Sequence, residues 1–229
     1  GMRRSGNHAV LTWVIAQQGG ITIFWNDRDL QHPPASHGTR EAHWRRWRQQ
    51  PPEQAHRHSL ILSYEDKALP AVYAPAYQQQ VQHAAGPCRS SQHLLILRDP
   101  FNTFASRFNH FGMGEVFRNQ PEVLRQYVAR WKSYLHEALG HTHTMPAGSH
   151  FVNFNEWMLS QDYRRALATQ LHLHFTDASA DVIAPHGFGS SFQERTPDKQ
   201  ARLKRWERMA HDPAYAAIFR DEEVVALSQ

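Results

Sequence analysis

Cysteine is nearly missing: Cys88 stands alone in 229 residues. A disulfide framework is thereby excluded, and a lone thiol fits a reducing compartment, so a cytoplasmic protein is expected. Long apolar runs are missing too, and no stretch approaches the length of about 18 apolar residues that a helical membrane span needs. Residues 8–18 are apolar but short, and they lack a small-residue cleavage site, which argues against a signal peptide. The Walker spacing Gly-x-x-x-x-Gly-Lys-Ser/Thr does not occur, which counts against an ordinary ATPase or kinase. No internal repeat is visible, and residues 1–229 read as a single domain. Gly1 ahead of Met2 reads as a remnant of tag removal and is set aside.

Aromatic residues are plentiful, with twelve Phe, seven Trp and seven Tyr, so the chain has the material for a core. Carboxylates are outnumbered: 25 Lys and Arg face 21 Asp and Glu, a net charge of +4, and the pI is near 9.4. The basic side is mostly arginine, whose fork-shaped guanidinium favours phosphate and sulfate. An anionic ligand follows, with nucleic acid the weaker version of it.

Residues 8–18 place Val10, Leu11, Val14 and Ile15 on one helical face, closed by Gly19-Gly20. "ITIFW" (21–25), "SLILSY" (59–64), "HLLIL" (93–97) and "HFVNF" (150–154) have strand length. The last three are continuous rather than alternating, which predicts parallel strands buried on both faces. Between them lie helices. Asp99 is placed to cap one that begins at Pro100 and carries Phe101, Phe104, Ala105 and Phe108 on one face. Leu124, Tyr127, Val128, Trp131, Leu135 and Ala138 mark another over 121–139, and 156–170 and 197–210 add two more. This alternation predicts an α/β fold, a three-layer parallel sheet flanked by helices. The polar stretch 26–57, with Pro33-Pro34, Pro51-Pro52 and "HWRRWR", reads as a long functional loop or lid, and 176–196 reads as loop.

Two motifs carry chemistry. "RRSGNH" (3–8) runs straight into the first helix, where unpaired N–H groups and the positive dipole end attract anions. Gly6 is expected to let the backbone approach a ligand closely, and Arg4 adds permanent charge. The plain alternative is a basic tail. The second motif is "LLILRDPFNTFASRF" (94–108), where Arg98 stands at the end of a buried strand, the edge at which open α/β sheets bind ligands. Ser106 follows eight residues later, two turns into the helix. The plain alternative is an Arg98 paired with a neighbouring carboxylate.

Together the motifs resemble the sulfotransferases that use 3′-phosphoadenylyl sulfate (PAPS). The resemblance implies a fold of the P-loop nucleoside triphosphate hydrolase type and PAPS as co-substrate; no metal is expected. Arg4, Ser5, Gly6, Asn7 and His8 would hold the 5′-phosphosulfate, and Arg98 with Ser106 the 3′-phosphate. "GSSF" (189–192) resembles the family's adenine-side segment, with Ser191 donating to the base and Phe192 packing on it. "FNEWM" (154–158) resembles a structural strand-to-helix segment, and "KRW" (204–206) offers Lys204 or Arg205 to the 3′-phosphate, though a solvated helix face explains it equally well. The base expected after the strand at 59–64 is Glu65, with Asp66 as runner-up or the pair as a helix cap. Arg4 would neutralise charge on the bridging oxygen, with His8 assisting.

Arg4 replaces the family's commoner lysine, and Ala9 stands where many members carry a tryptophan. The strand that precedes the loop in the family has no counterpart ahead of Arg3, so either the start lies upstream of Met2 or the sheet lacks its central strand. The resemblance implies sulfuryl transfer to a hydroxyl or amine of a small-molecule or carbohydrate acceptor. The alternatives are a divergent P-loop kinase, or a non-catalytic nucleotide or anion binder on a degraded fold. Histidine pairs at 56–58, 141–143 and 172–174 lack the carboxylates or cysteines that a metal site adds. Neither the acceptor nor the oligomeric state is legible.

Overall fold

The computed structural model describes residues 1–31, 58–182, 192 and 198–229. In chain order the elements are α1 (Asn7–Ala16), β1 (Thr22–Trp25), β2 (Ser59–Leu62), α2 (Leu69–Val72), α3 (Pro75–Ala85), β3 (Leu94–Leu97), α4 (Pro100–Phe108), α5 (Met113–Asn119) and α6 (Pro121–Ala138). There follow β4 (His150–Asn153), α7 (Phe154–Leu159), α8 (Gln161–Gln170), α9 (Lys199–Leu203), a 3-10 turn over Arg205–Met209, α10 (Pro213–Ile218) and α11 (Glu222–Leu227). The chain is mixed α/β, about half of it helical.

Local chemistry explains many of the boundaries. Proline occupies the first turn of α2, α3, α4, α6 and α10, where its missing N–H costs nothing. Asp99, Asn153, Ser160, Asp198, Asp212 and Asp221 cap helices through their side-chain oxygens. Two predicted helices are each divided. Ser160 stops α7 and caps α8 by accepting from the Tyr163 amide, and the 197–210 segment passes from α9 into the 3-10 turn at Lys204.

The strands are parallel, as the continuous apolar runs predicted, but they form two pairs rather than one sheet. β1 pairs with β2 from Thr22↔Ser59 to Trp25↔Leu62, and β3 pairs with β4 from Leu94↔His150 to Leu97↔Asn153. Between the exit of β2 and β3 runs the start of the loop. The Gly1 amine donates to the Tyr64 carbonyl (3.3 Å), and the Asp66 amide donates to the Gly1 carbonyl (3.2 Å). A Cβ on Gly1 would come within 2.5 Å of the Ile96 carbonyl oxygen. Gly1, set aside in the sequence reading, is therefore packed into the fold, and Met2 beside it is 1% exposed.

Burial of the strands is uneven, because two-stranded sheets leave edges uncovered. β2 is half-buried throughout, and only Val152 of β4 is fully buried. β3 is the wall between two cores. Leu95 faces a cluster with Met2, Phe104, Phe108, Phe117 and Trp131, and Ile96 faces one with Val10, Trp13, Val152, Phe154 and Trp157. Helices α4 and α6 thus cover one face of β3, and α1, α7 and α8 cover the other. On α1 the buried stripe is Asn7, Val10, Trp13 and Val14, a rotation from the predicted one. Trp13 displaces Leu11 and Ile15 because its indole fills the space against Trp157, ring centroids 6.0 Å apart.

Candidate anion-binding site

Asp99 caps α4 as expected, accepting from the Asn102 amide at 2.8 Å, so the chain turns sharply from β3 into the helix. Arg98 sits in that turn. Its carbonyl accepts from Trp131 Nε1 (3.1 Å), which fixes the backbone, and its guanidinium lies 5.3 Å from the Phe154 ring centre. Nη1 reaches back to donate to the Arg4 carbonyl at 3.1 Å. Nε is enclosed and has no hydrogen-bond partner among the described residues. Burial pulls the Arg98 pKa down to about 10; Asp99 opposes this, and the charges of Arg4 and Arg205 add to it. Arg4, Arg98 and Arg205 therefore share one neighbourhood, and of the two candidates in "KRW" it is Arg205 whose charge reaches Arg98.

Arg4 completes the junction by donating from Nε to Ser106 Oγ at 3.1 Å. Burial lowers the Arg4 pKa; Glu65 raises it and Arg107 lowers it further. Arg4 is held at φ 71°, a left-handed conformation that costs a non-glycine residue about 1 kcal/mol or more. Gly6 follows at φ 89°. Left-handed residues turn backbone N–H groups toward one concave side, the shape that receives oxyanions. Among the described residues no side chain caps the N-terminus of α1. Gly6 is needed for a reason the sequence did not suggest: a Cβ there would overlap the Phe154 ring. Packing of the loop on α7, rather than close approach of a ligand, excludes a side chain.

Beside the loop lies a cluster of ion pairs. Ser5 and Asn7 are buried, and Asn7 Nδ2 donates to the Met2 carbonyl and to Glu65 Oε1, both at 2.9 Å. Glu65 Oε2 lies 3.4 Å from Arg3 Nε, and the Glu65 amide donates to Asp27 Oδ1. Arg3 also pairs with Asp27. Asp66 is committed to the scaffold. It pairs with Arg107, which is 3% exposed, accepts from the Arg3 amide, and gives its carbonyl to Arg130. Between the two candidate bases, Glu65 is the one whose carboxylate adjoins the loop's own side chains.

His8 Nε2 shares a hydrogen bond with Asn26 Oδ1 (2.9 Å), and its ring meets Phe24 edge-on. The structure thus brings Arg4, Arg98, Ser106, Asn7 and Glu65 into one connected site and gives His8 a partner at the end of β1. Phe192 is buried in the first core, with Arg205 and Arg208 each 5.9 Å from its ring centre. Ser191, "HWRRWR" and nearly all of the 26–57 loop lie outside the described residues.

Sequence reasoning missed Arg3, Asp27, Arg107 and Phe154. Arg3 and Arg107 lie inside quoted motifs, but nothing local marks an arginine that will meet a carboxylate from another segment. Among the described residues no group of three or more His, Cys, Asp or Glu side chains is placed to hold a metal ion, and no helix is long and apolar enough to cross a membrane. In comparisons with protein-family models, curated proteins and solved structures, the chain matches none.

Proposed function

We propose that the chain is a PAPS-dependent sulfotransferase with a fold of the P-loop type. The observation that carries this reading is the junction of Arg4, Arg98 and Ser106, in which a phosphate-type loop and a strand-end arginine, 94 residues apart, meet through direct hydrogen bonds. The uncapped α1, the left-handed Arg4 and Gly6, and Arg205 beside Arg98 support it further.

In this reading the loop and Arg4 hold the 5′-phosphosulfate, and Arg98, Arg205 and Ser106 hold the 3′-phosphate. An acceptor oxygen or nitrogen forms the new bond to sulfur while the bond from sulfur to the 5′-phosphate oxygen breaks. Its electron pair leaves with adenosine 3′,5′-bisphosphate, and the acceptor proton passes to Glu65. Arg4 offsets charge growing on the leaving oxygen, an electrostatic contribution that needs no proton transfer from its guanidinium. Asn7 and Arg3 hold the Glu65 carboxylate in place.

Calorimetry tests the donor assignment by comparing adenosine 3′,5′-bisphosphate with adenosine 5′-monophosphate. Tighter binding of the bisphosphate, lost in Arg98→Ala, is expected. Equal affinity for the two overturns the reading. Tight bisphosphate binding with no sulfuryl transfer to any of a panel of phenols, sugars and amines would instead favour a non-catalytic binder.

A further inference from the structure

Helix α6 runs out through His136 and Glu137 to Gly140 and His141. Gly140 takes a left-handed φ of 74°, its amide donates to the Glu137 carbonyl (3.1 Å), and the His141 amide donates to the His136 carbonyl (2.8 Å). This pair of bonds is the common glycine stop of a helix, and it folds the chain back over the last turn. The two residues it brings together are both histidines. Their Nδ1 atoms lie 3.0 Å apart, with the ring centroids 5.3 Å apart. Contacts on either side hold the pair. Glu223, in the first turn of α11, meets His136 Nε2 with Oε1 (2.8 Å) and accepts from Lys132 Nζ on Oε2 (2.6 Å). A carboxylate shared with an ammonium is an acceptor, so His136 donates from Nε2, and a neutral His136 turns its Nδ1 lone pair toward His141. Glu137 fastens the residues just after His141 through Thr142 Oγ1 and the Thr144 and Met145 amides. His136 is partly exposed and His141 is exposed, so the pair is reached from solvent.

We propose that His136 and His141 form a binding site for a late first-row divalent metal ion, copper(II) foremost, with both Nδ1 atoms as ligands, Glu223 orienting His136, and water in the remaining positions. Two neutral imidazoles in this contact have one proton between their Nδ1 atoms. The ion takes that place, and His141 then carries its proton on Nε2. Metal–imidazole bonds of about 2.0–2.1 Å put two nitrogens about 3 Å apart when they meet the ion close to a right angle. The Nδ1 atoms already stand at that separation, and a turn of the exposed His141 ring re-aims its lone pair at the ion. Right-angled coordination by imidazole and water suits copper(II) and nickel(II), and copper(II) binds such donors most tightly of the series. A ligating histidine that donates its other N–H to a carboxylate is the pattern of metal sites, and Glu223 supplies it. The sequence pointed to another pairing: "HTH" joined His141 to His143 and held no carboxylate. The reversal at Gly140 joins His141 to His136 instead, and the carboxylate comes from 87 residues away. With two protein donors rather than three, the site shares no residue with the anion site, and its failure would leave the proposed function untouched.

The chain holds 17 histidines, so the test must read individual rings. Imidazole resonances of the full chain, assigned by triple-resonance connectivity, are followed by NMR as substoichiometric copper(II) is added over excess glycine, a competitor that strips ions held by a single imidazole. The paramagnetic ion should broaden His136 and His141 first, and together. Calorimetry under the same competition should show this binding lost in His136→Ala and in His141→Ala, retained in His143→Ala, and weakened about tenfold or more in Glu223→Gln. Should His136→Ala fail to fold, the spectra of the unaltered chain and the exposed His141→Ala change still decide. Other rings broadening before this pair, a response from only one of the two, or full-strength binding in His141→Ala would each overturn the site. Unchanged affinity in Glu223→Gln would overturn the role given to Glu223.

Discussion

Arg98 Nη1 donates to the Arg4 carbonyl at 3.1 Å, and Arg4 Nε donates in turn to Ser106 Oγ at 3.1 Å. The β3–α4 turn therefore holds the loop's backbone, and the loop's side chain holds the helix. Arg98 gives only one of its donors to this link, and its enclosed Nε has no partner among the described residues. A buried guanidinium in that state weakens the ligand-free fold, as its pKa of about 10, below the ordinary 12.5, records.

That relationship predicts a trade between stability and binding. Arg98→Met keeps much of the side-chain volume and removes the buried charge. Its melting temperature without ligand should equal or exceed that of the wild type, by differential scanning calorimetry. The rise that adenosine 3′,5′-bisphosphate produces in the wild type should be absent, because a charge-assisted contact of roughly 1.5–3 kcal/mol has gone. A variant that melts lower and still responds to the bisphosphate would show that Arg98 serves the fold rather than the ligand. The sign with pH is fixed as well. The folded-state pKa lies below the unfolded one, so the cost is present at neutral pH and is relieved only as pH rises past about 10.

Gly6 gives a second prediction, about packing. Gly6→Ala meets two obstacles at once, a left-handed φ of 89° and overlap with the Phe154 ring. Urea unfolding should show a loss of about 2 kcal/mol or more. Phe154→Ala in the same chain removes the overlap but not the backbone cost, so Gly6→Ala should cost less in that background. Strict additivity of the two changes would sink the packing explanation.

How much of this was legible beforehand depends on distance along the chain. The Asp99 cap, the helix start at Pro100 and the four strands follow from neighbours within a few residues, and the structure has them close to where the patterns place them. The short helices α2, α3, α5, α10 and α11 went unread, because segments of this kind owe their stability to packing more than to a long periodic stripe. Division of the strands into two pairs was not expected, since apolar continuity reports burial and not which strands are hydrogen-bonded neighbours. In the site, Arg4 with Ser106 was readable only as two separate motifs. Arg107 with Asp66 was not readable at all, since nothing in "SRF" or "YED" signals the partner 41 residues away.

The two acidic neighbours after β2 should separate cleanly. Asp66→Ala leaves Arg107, 3% exposed, without its carboxylate. Breaking a buried pair from one side costs about 3–5 kcal/mol, so urea unfolding should report a severe loss. Glu65→Gln keeps the shape of the side chain, and its Oε1 still accepts from Asn7 Nδ2. Stability and bisphosphate affinity should change little, while sulfuryl transfer falls by about a hundredfold or more if Glu65 takes the acceptor proton. Full activity in Glu65→Gln would remove Glu65 as the base.

Glu137 offers a prediction away from the site that checks the scaffold itself. It is buried near the C-terminal end of α6 and gathers the following turn by accepting from Thr142 Oγ1 (2.5 Å), the Thr144 amide (3.0 Å) and the Met145 amide (2.7 Å). Burial pushes its pKa up, but the hydrogen bonds from Thr142, Met145 and Thr144 together outweigh it and hold the pKa below 4.5. The folded-state pKa is thus lower than the unfolded one. The stabilisation is fully present above about pH 4.5 and is lost as pH falls through the folded value. Glu137→Gln keeps one carbonyl acceptor but presents an NH2 group to donors that expect an oxygen, so it should be less stable at neutral pH. Its stability should also fall less between pH 5 and pH 3 than that of the wild type, read as urea midpoints across roughly that range. Parallel declines for the two proteins would mean that Glu137 is not the carboxylate through which acid loosens the α6–β4 connection.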